Sequence, residues 1–183
     1  MVLFVDATIL RMFPPLRHAW GWRGQQTPVR ITGANARRVL VGALNPRTGH
    51  RVLMRRRQMR QGDFQAFLRE LRGRYGNRRL VLLLDKESTH TAPRSQGLAI
   101  RLDIWMIWLP KQRPELNIMD QLWKEAKRAV VVNRQYRTID IAADRVETWI
   151  MRLSPREALR KAGVLAPKFW LRRLFSKDFW PPT

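Results

Sequence analysis

Three aspartates stand where a chain can bring carboxylates to one point. Asp85 ends a wholly apolar run, Leu80 to Leu84, and Asp6 lies near the end of the short apolar run VLFVDA at residues 2 to 7. Asp120 falls in the first turn of a helical pattern that opens after Asn117. Taken singly, Asp85 reads as a turn residue, and Asp120 as a helix-cap partner that pairs with Lys124 one turn on. Taken together they read differently. If the strands carrying Asp6 and Asp85 lie side by side, their carboxylates face each other, and Asp120 enters from a helix beside that edge. Such a cluster repels itself unless divalent cations fill it. Two ions about 4 Å apart, held by acids, are a standard device for attacking phosphodiesters. One ion prepares water or a 3′-hydroxyl, and the other stabilises the leaving oxygen.

Charge points to the same class of partner. The 183 residues carry 36 Lys and Arg against 14 Asp and Glu, a formal net charge of +22. With 45% hydrophobic residues the chain is no disordered polycation, and it is long enough for one domain with a proper core. An excess of this size repels itself in the compact state, and polyanion binding is the usual reason to carry it. Nucleic acid is therefore the expected partner, and on charge alone a ribosomal or RNA-packaging role stays open. The absence of cysteine excludes disulfides, zinc fingers and thiolate catalysis. The three histidines lack metal-ligand spacing. No stretch approaches the ~20 apolar residues of a membrane span, and MVLFVDATILR has no basic flank and carries Asp6, unlike a signal peptide. The expected location is the cytoplasm, associated with the nucleoid in a bacterium.

The elements that must position the acids follow from pattern. Residues 2 to 7, 37 to 44 and 51 to 54 read as strands, the last two joined by the turn NPRTG, and together they suggest an antiparallel meander. From Asp63 the period changes, with Phe64, Phe67, Leu68 and Leu71 on one helix face and Gly73 and Gly76 ending it. A strand from Leu80 to Leu84, a short helix near Arg94 to Arg101 and a strand from Ile104 to Leu109 follow. Both strands are apolar throughout, as expected where helices cover both sheet faces. Asn117 caps the next helix with Asp120 at its third position. Ile139, Ala142, Ala143, Val146, Trp149, Ile150 and Leu153 mark another helix. The expected class is α/β, a mixed five-stranded sheet, antiparallel meander then βαβ, flanked by helices. Residues 1–153 form the expected domain. Residues 154–183 are a basic, aromatic tail that packs on it or docks elsewhere.

The residues from 80 to 128 resemble a known family. The order Asp85, His90, Leu109-Pro110, Pro114-Glu115-Leu116-Asn117, Asp120, Trp123, Lys127 is similar to that of the catalytic domain of DDE-superfamily transposases, the mariner-like and related bacterial insertion-sequence kind. The gap between Asp85 and Asp120, 34 residues at positions 86 to 119, is typical of them. Over residues 1 to 50 the likeness is looser and rests on Asp6, Trp20 and Gly24. The resemblance implies a ribonuclease H-like fold and DNA cleavage with strand transfer at transposon ends. It assigns Asp6, Asp85 and Asp120 as catalytic residues and ligands of two magnesium or manganese ions. DNA, as transposon ends and target, is the implied partner of a homodimer. Ala7 stands where Glu is common, Lys86 where Asn is common, and Asp120 where bacterial relatives usually have Glu. No helix-turn-helix region is expected before the first strand, so end recognition is expected from a separate chain, or the chain is an inactive or truncated remnant that only binds DNA.

Smaller expectations concern single residues. Arg55, Arg56, Arg57 and Arg60 form a dense phosphate patch after a strand. Lys124 and Lys127 share nearly one helix face with Asp120 and either hold a DNA backbone or form a solvated basic face. Lys86 pairs with Asp85 or contacts a phosphate. His90 orients an acid, touches phosphate, or is a structural histidine. Trp105, Trp108 and Trp123 read as core residues, and Trp20 or Trp22 as candidates for base stacking.

Overall fold

The computed structural model describes residues 1–18, 28–29, 31 and 33–172. Trp20, Trp22, Gly24 and the last residues of the tail lie outside them. Five strands form one sheet: β1 (Val2–Arg11), β2 (Arg37–Leu44), β3 (Arg51–Arg56), β4 (Leu80–Leu84) and β5 (Ile104–Trp108), in the order β3-β2-β1-β4-β5. β1 pairs antiparallel with β2, and β2 with β3, whereas β4 runs parallel to both β1 and β5. This is the expected meander followed by βαβ, and β1 does lie beside β4. Among the described residues six α-helices accompany the sheet: α1 (Gln61–Tyr75), α2 (Ser88–Thr91), α3 (Pro93–Arg101), α4 (Ile118–Val130), α5 (Ile139–Arg152) and α6 (Pro155–Lys161).

Alternation along β1 divides the core. Leu3 and Val5 point to one face, where Phe64, Phe67, Leu68 and Leu71 of α1 and Leu98 of α3 cover them. Phe4 points to the other, under Ile118, Leu122, Trp123 and Ala126 of α4 and Val146 and Ile150 of α5. The second face is closed by ion pairs as well as by apolar packing. Arg38 of β2 makes a two-pronged contact with Asp140, 2.7 Å from each carboxylate oxygen, and Arg55 of β3 pairs with Asp144 and Glu147. Leu159, Ala162, Val164 and Leu171 are buried in this same core. Among the described residues no helix is long and apolar enough to cross a membrane.

Several boundaries differ from expectation. β1 runs on to Arg11, so Asp6 is mid-strand. The alternation of Thr8 and Leu10 inward against β2 extends the strand beyond its most apolar part. Gly73 lies inside α1, which ends instead at Gly76 with φ +55. Two short helices replace the single one expected near residue 94, because Pro93 opens α3 with a fresh N-terminus. The expectation that both faces of β5 are covered is wrong. β5 is an edge strand, and Trp105 and Ile107 are 60% and 48% exposed on it. Trp105 is therefore not a core residue, whereas Trp123 is 1% exposed and sits at the centre of the core.

Candidate active site

β1 outlasts β4. Their ladder stops at Phe4 opposite Leu83, so from Val5 onward the β4 side of β1 lies open. The sheet changes there from antiparallel to parallel, and such a switch point leaves a crevice beyond the carboxyl ends of the strands. A cleft of about 520 Å³ occupies that place, lined by Asp6, Asp85 and Asp120 together with Lys86, Glu87, Lys111, Arg113 and Asn117. The three acids picked out by spacing thus share one cleft.

Each acid is positioned by a separate device. Asp6 is held by the β1–β2 ladder opposite Gly42. A Cβ at Gly42 would fall 2.5 Å from Met119 Cε and 2.9 Å from Trp123 Cζ2. The glycine therefore lets α4 settle close over β1, where Trp123 Nε1 reaches the Asp6 carbonyl at 3.4 Å. Asp120 is fixed by the start of α4. Asn117, 4% exposed, accepts from Met119 N at 3.0 Å as the helix cap and donates through Nδ2 to the Val5 carbonyl at 2.9 Å. That carbonyl lies beyond the end of the β4 ladder, so one side chain caps the helix and pins it to β1 beside Asp6. Asp85 is held from behind by His90. The buried imidazole packs on Phe64 with 4.3 Å between ring centroids. Its Nδ1 lies 3.1 Å from both the carbonyl oxygen and Oδ1 of Asp85. Both are acceptors, so Nδ1 is the donor.

Gathering these carboxylates has an electrostatic cost. Burial, and after it the charges of Asp120, Asp85 and Glu87, raise the Asp6 carboxyl to about 8, with Lys127 opposing. Glu87 is raised too, by burial and then by Asp85. Burial lowers the Lys127 ammonium, while Asp120 and Asp6 work the other way. Lys124 Nζ lies 2.7 Å from Asp120 Oδ2, as an ion pair without hydrogen-bond geometry.

The donor set fits a hard divalent cation in kind: carboxylate oxygens from three directions, with no soft ligand. Among the described residues no three acidic or histidine side chains yet converge tightly enough to grip an ion. Asp85 keeps one oxygen on His90, whereas Asp120 is turned to Lys124, and it is this lysine that must yield for the oxygens to meet.

Other sequence-based expectations fare variously. His90 is 1% exposed, so the reading in which it touches phosphate is corrected: it holds Asp85 from inside. Arg55 is committed to α5, which removes it from the phosphate patch, and Arg56 pairs with Asp63 at 3.2 Å. Arg60 is the residue before α1 and bonds to Gln58 and, through its amide, to Asp63. Arg57 remains exposed. Lys86 lines the cleft, and Lys127 faces Asp6 and Asp120. Trp20 and Trp22 lie outside the described residues. Sequence reasoning missed Glu87, Lys111 and Arg113. Glu87 follows Asp85 by two positions, and the other two lie within the Pro110–Pro114 turn that lines the cleft.

Residues 1–141, most of the chain, match the family described as DDE superfamily endonuclease, and the chain belongs to that family. Its fold is ribonuclease H-like. It is similar to the mariner Mos1 paired end complex with Mg at a TM-score of 0.71 and 14% identity, covering 100% of this chain and 56% of that one. Against a pre-cleavage Mos1 transpososome the TM-score is 0.70 at 13% identity, covering 100% and 57%. Against the catalytic domain of Mos1 mariner transposase it is 0.62 at 11% identity, covering 88% and 74%. At such identities the likeness is one of fold, and the chain spans about half the length of the transposases in the complexes. No curated protein sequence matches it.

Proposed function

We propose that this chain is the catalytic domain of a transposase, cutting DNA at the ends of a mobile element and joining those ends to a target. Asp6, Asp85 and Asp120 would hold two divalent ions, magnesium or manganese. The observation that carries the reading is the meeting of these three acids in one cleft at the end of β4, with Asp6 raised to about 8 by its burial and its neighbours. Bound there, the ions would supply an activated attacking oxygen and a charge sink for the leaving 3′-oxygen.

The residues of the chain do the rest. Asp6 offers a carboxylate on a strand that cannot move without breaking the sheet, and His90 keeps one oxygen of Asp85 engaged so that the other faces the cleft. Lys86, Lys111 and Arg113 on the rim bind phosphates on either side of the scissile bond, and Arg57, exposed after β3, is a further phosphate contact in this reading. Related structures lend support: the Mos1 complexes include one with the left transposon end, one with Mn and one with Mg. A homodimeric working form, end recognition by a helix-turn-helix unit on a partner chain, and association with the nucleoid belong to the same proposal.

A second reading, a DNA-binding protein that keeps the fold without the chemistry, draws on the Lys124–Asp120 ion pair and on Lys86 beside Asp85. One experiment separates the two. The chain is incubated with magnesium or manganese and a supercoiled plasmid carrying the DNA that flanks its own coding sequence. Metal-dependent breaks at fixed boundaries, lost in Asp85→Asn and Asp120→Asn, are expected. Salt-dependent retention of the plasmid without breaks would favour the second reading, and breaks that persist in both variants would defeat the assignment of the acids.

A further inference from the structure

We propose that Lys124 is the resident counter-cation of the acid cleft, occupying the side of Asp120 that a divalent ion takes and exchanging with it. The inference rests on the metal-site reading and adds a residue to it.

Asp120 Oδ2 is buried and makes no hydrogen bond, and its close partner is Lys124 Nζ at 2.7 Å. Among the described residues Lys124 is the lysine that forms an ion pair with one of the three aspartates. An ammonium and a divalent ion cannot share that oxygen at such range without strong repulsion. The lysine is also free to leave. Its side chain is 54% exposed, that of Asp120 25%, and ion pairs in this setting are held weakly. Lys127, one turn further along α4, is half-buried and feels the charges of both Asp120 and Asp6.

Exchange has a consequence for DNA. Asp120, Lys124 and Lys127 form one stripe of α4, at i, i+4 and i+7. A Lys124 ammonium driven from Asp120 remains tethered at the mouth of the cleft, where a backbone phosphate is the available anion. Metal binding then frees a phosphate ligand, and phosphate binding in turn frees a metal ligand, so each tightens the other.

The test is calorimetric titration of the full chain with manganese chloride, without DNA, for wild type, Lys124→Gln, Arg69→Gln and Asp120→Asn. Arg69 is exposed on α1, across the sheet, and controls for net charge. Lys124→Gln is expected to bind manganese about three- to tenfold more tightly, the effect of removing one charge a few ångström away in a largely aqueous medium. Arg69→Gln is expected to match wild type. Unchanged or weaker binding by Lys124→Gln, or equal tightening in both, overturns the proposal. Manganese binding by Asp120→Asn equal to wild type would instead remove the metal site itself. A second arm follows a labelled DNA duplex by anisotropy. Lys124→Gln should lower the salt slope by about one with manganese present and leave it unchanged without. An equal fall in both conditions also overturns the exchange.

Discussion

Replacing Asp6 with Asn should stabilise the metal-free protein. The folded chain holds the Asp6 proton up to about pH 8, against an ordinary value of 3.8. A carboxyl raised in the folded state favours folding when protonated, so its contribution is fully present below about 3.8 and is lost as pH climbs towards 8. Each tenfold change in proton affinity corresponds to about 1.4 kcal/mol. At pH 7 folding therefore requires Asp6 to take up a proton that the unfolded chain has released, at a cost of up to ~4 kcal/mol, which relaxation and residual solvent bring to about 2–4 kcal/mol. Asparagine keeps the shape and carries no charge. Thermal melts followed by circular dichroism with chelator present should show Asp6→Asn melting about 5–10 °C above wild type at pH 7. At pH 5 the advantage should shrink to about 1 kcal/mol or less, since less of the penalty is incurred there. Saturating manganese should reverse the order, because only wild type gains from bound ions. Equal or lower stability of Asp6→Asn at pH 7, or an advantage that does not shrink on acidification, would refute the reasoning.

Three further outcomes follow from the supports of the site. Asn117→Ala removes a helix cap and leaves the Val5 carbonyl unpaired, and chemical denaturation should show a loss of about 2–3 kcal/mol. Gly42→Ala forces a methyl against Met119 and Trp123 and should cost about 1–3 kcal/mol, with Trp123 fluorescence shifting as α4 lifts from β1. His90→Ala should weaken manganese affinity about 10- to 100-fold by releasing Asp85, with near-wild-type affinity for DNA in chelator because the ring is buried away from solvent.

The acids were legible in the sequence because each stands at a point of strong local pattern: an apolar run cut off by Asp85, a capped helix start before Asp120, a short strand around Asp6. The strand directions were legible for a similar reason, since close turns dictate antiparallel neighbours and intervening helices dictate parallel ones, whereas the pairing of β1 with β4 entered only as a condition. What lay hidden depends on contacts distant in sequence. Nothing near Arg55 shows that Asp144 and Glu147 of α5 will claim it, so a dense arginine run reads as a phosphate patch. His90 looks available until Phe64 is folded over it. The apolar composition of IWMIW is the same for a central strand as for an edge, and only the sheet order exposes Trp105. Asn117 was legible as a cap, but its second bond, to Val5, spans 112 positions and belongs to the tertiary fold.

The central claim is that Asp6, Asp85 and Asp120 hold two divalent ions, and crystals of the chain grown with manganese test it most directly. Anomalous diffraction should show two peaks about 4 Å apart within the cleft, each in contact with at least one of the three carboxylates, with Lys124 turned away from Asp120. A cleft with no anomalous peak at saturating manganese, or peaks confined to other carboxylates, would contradict the account.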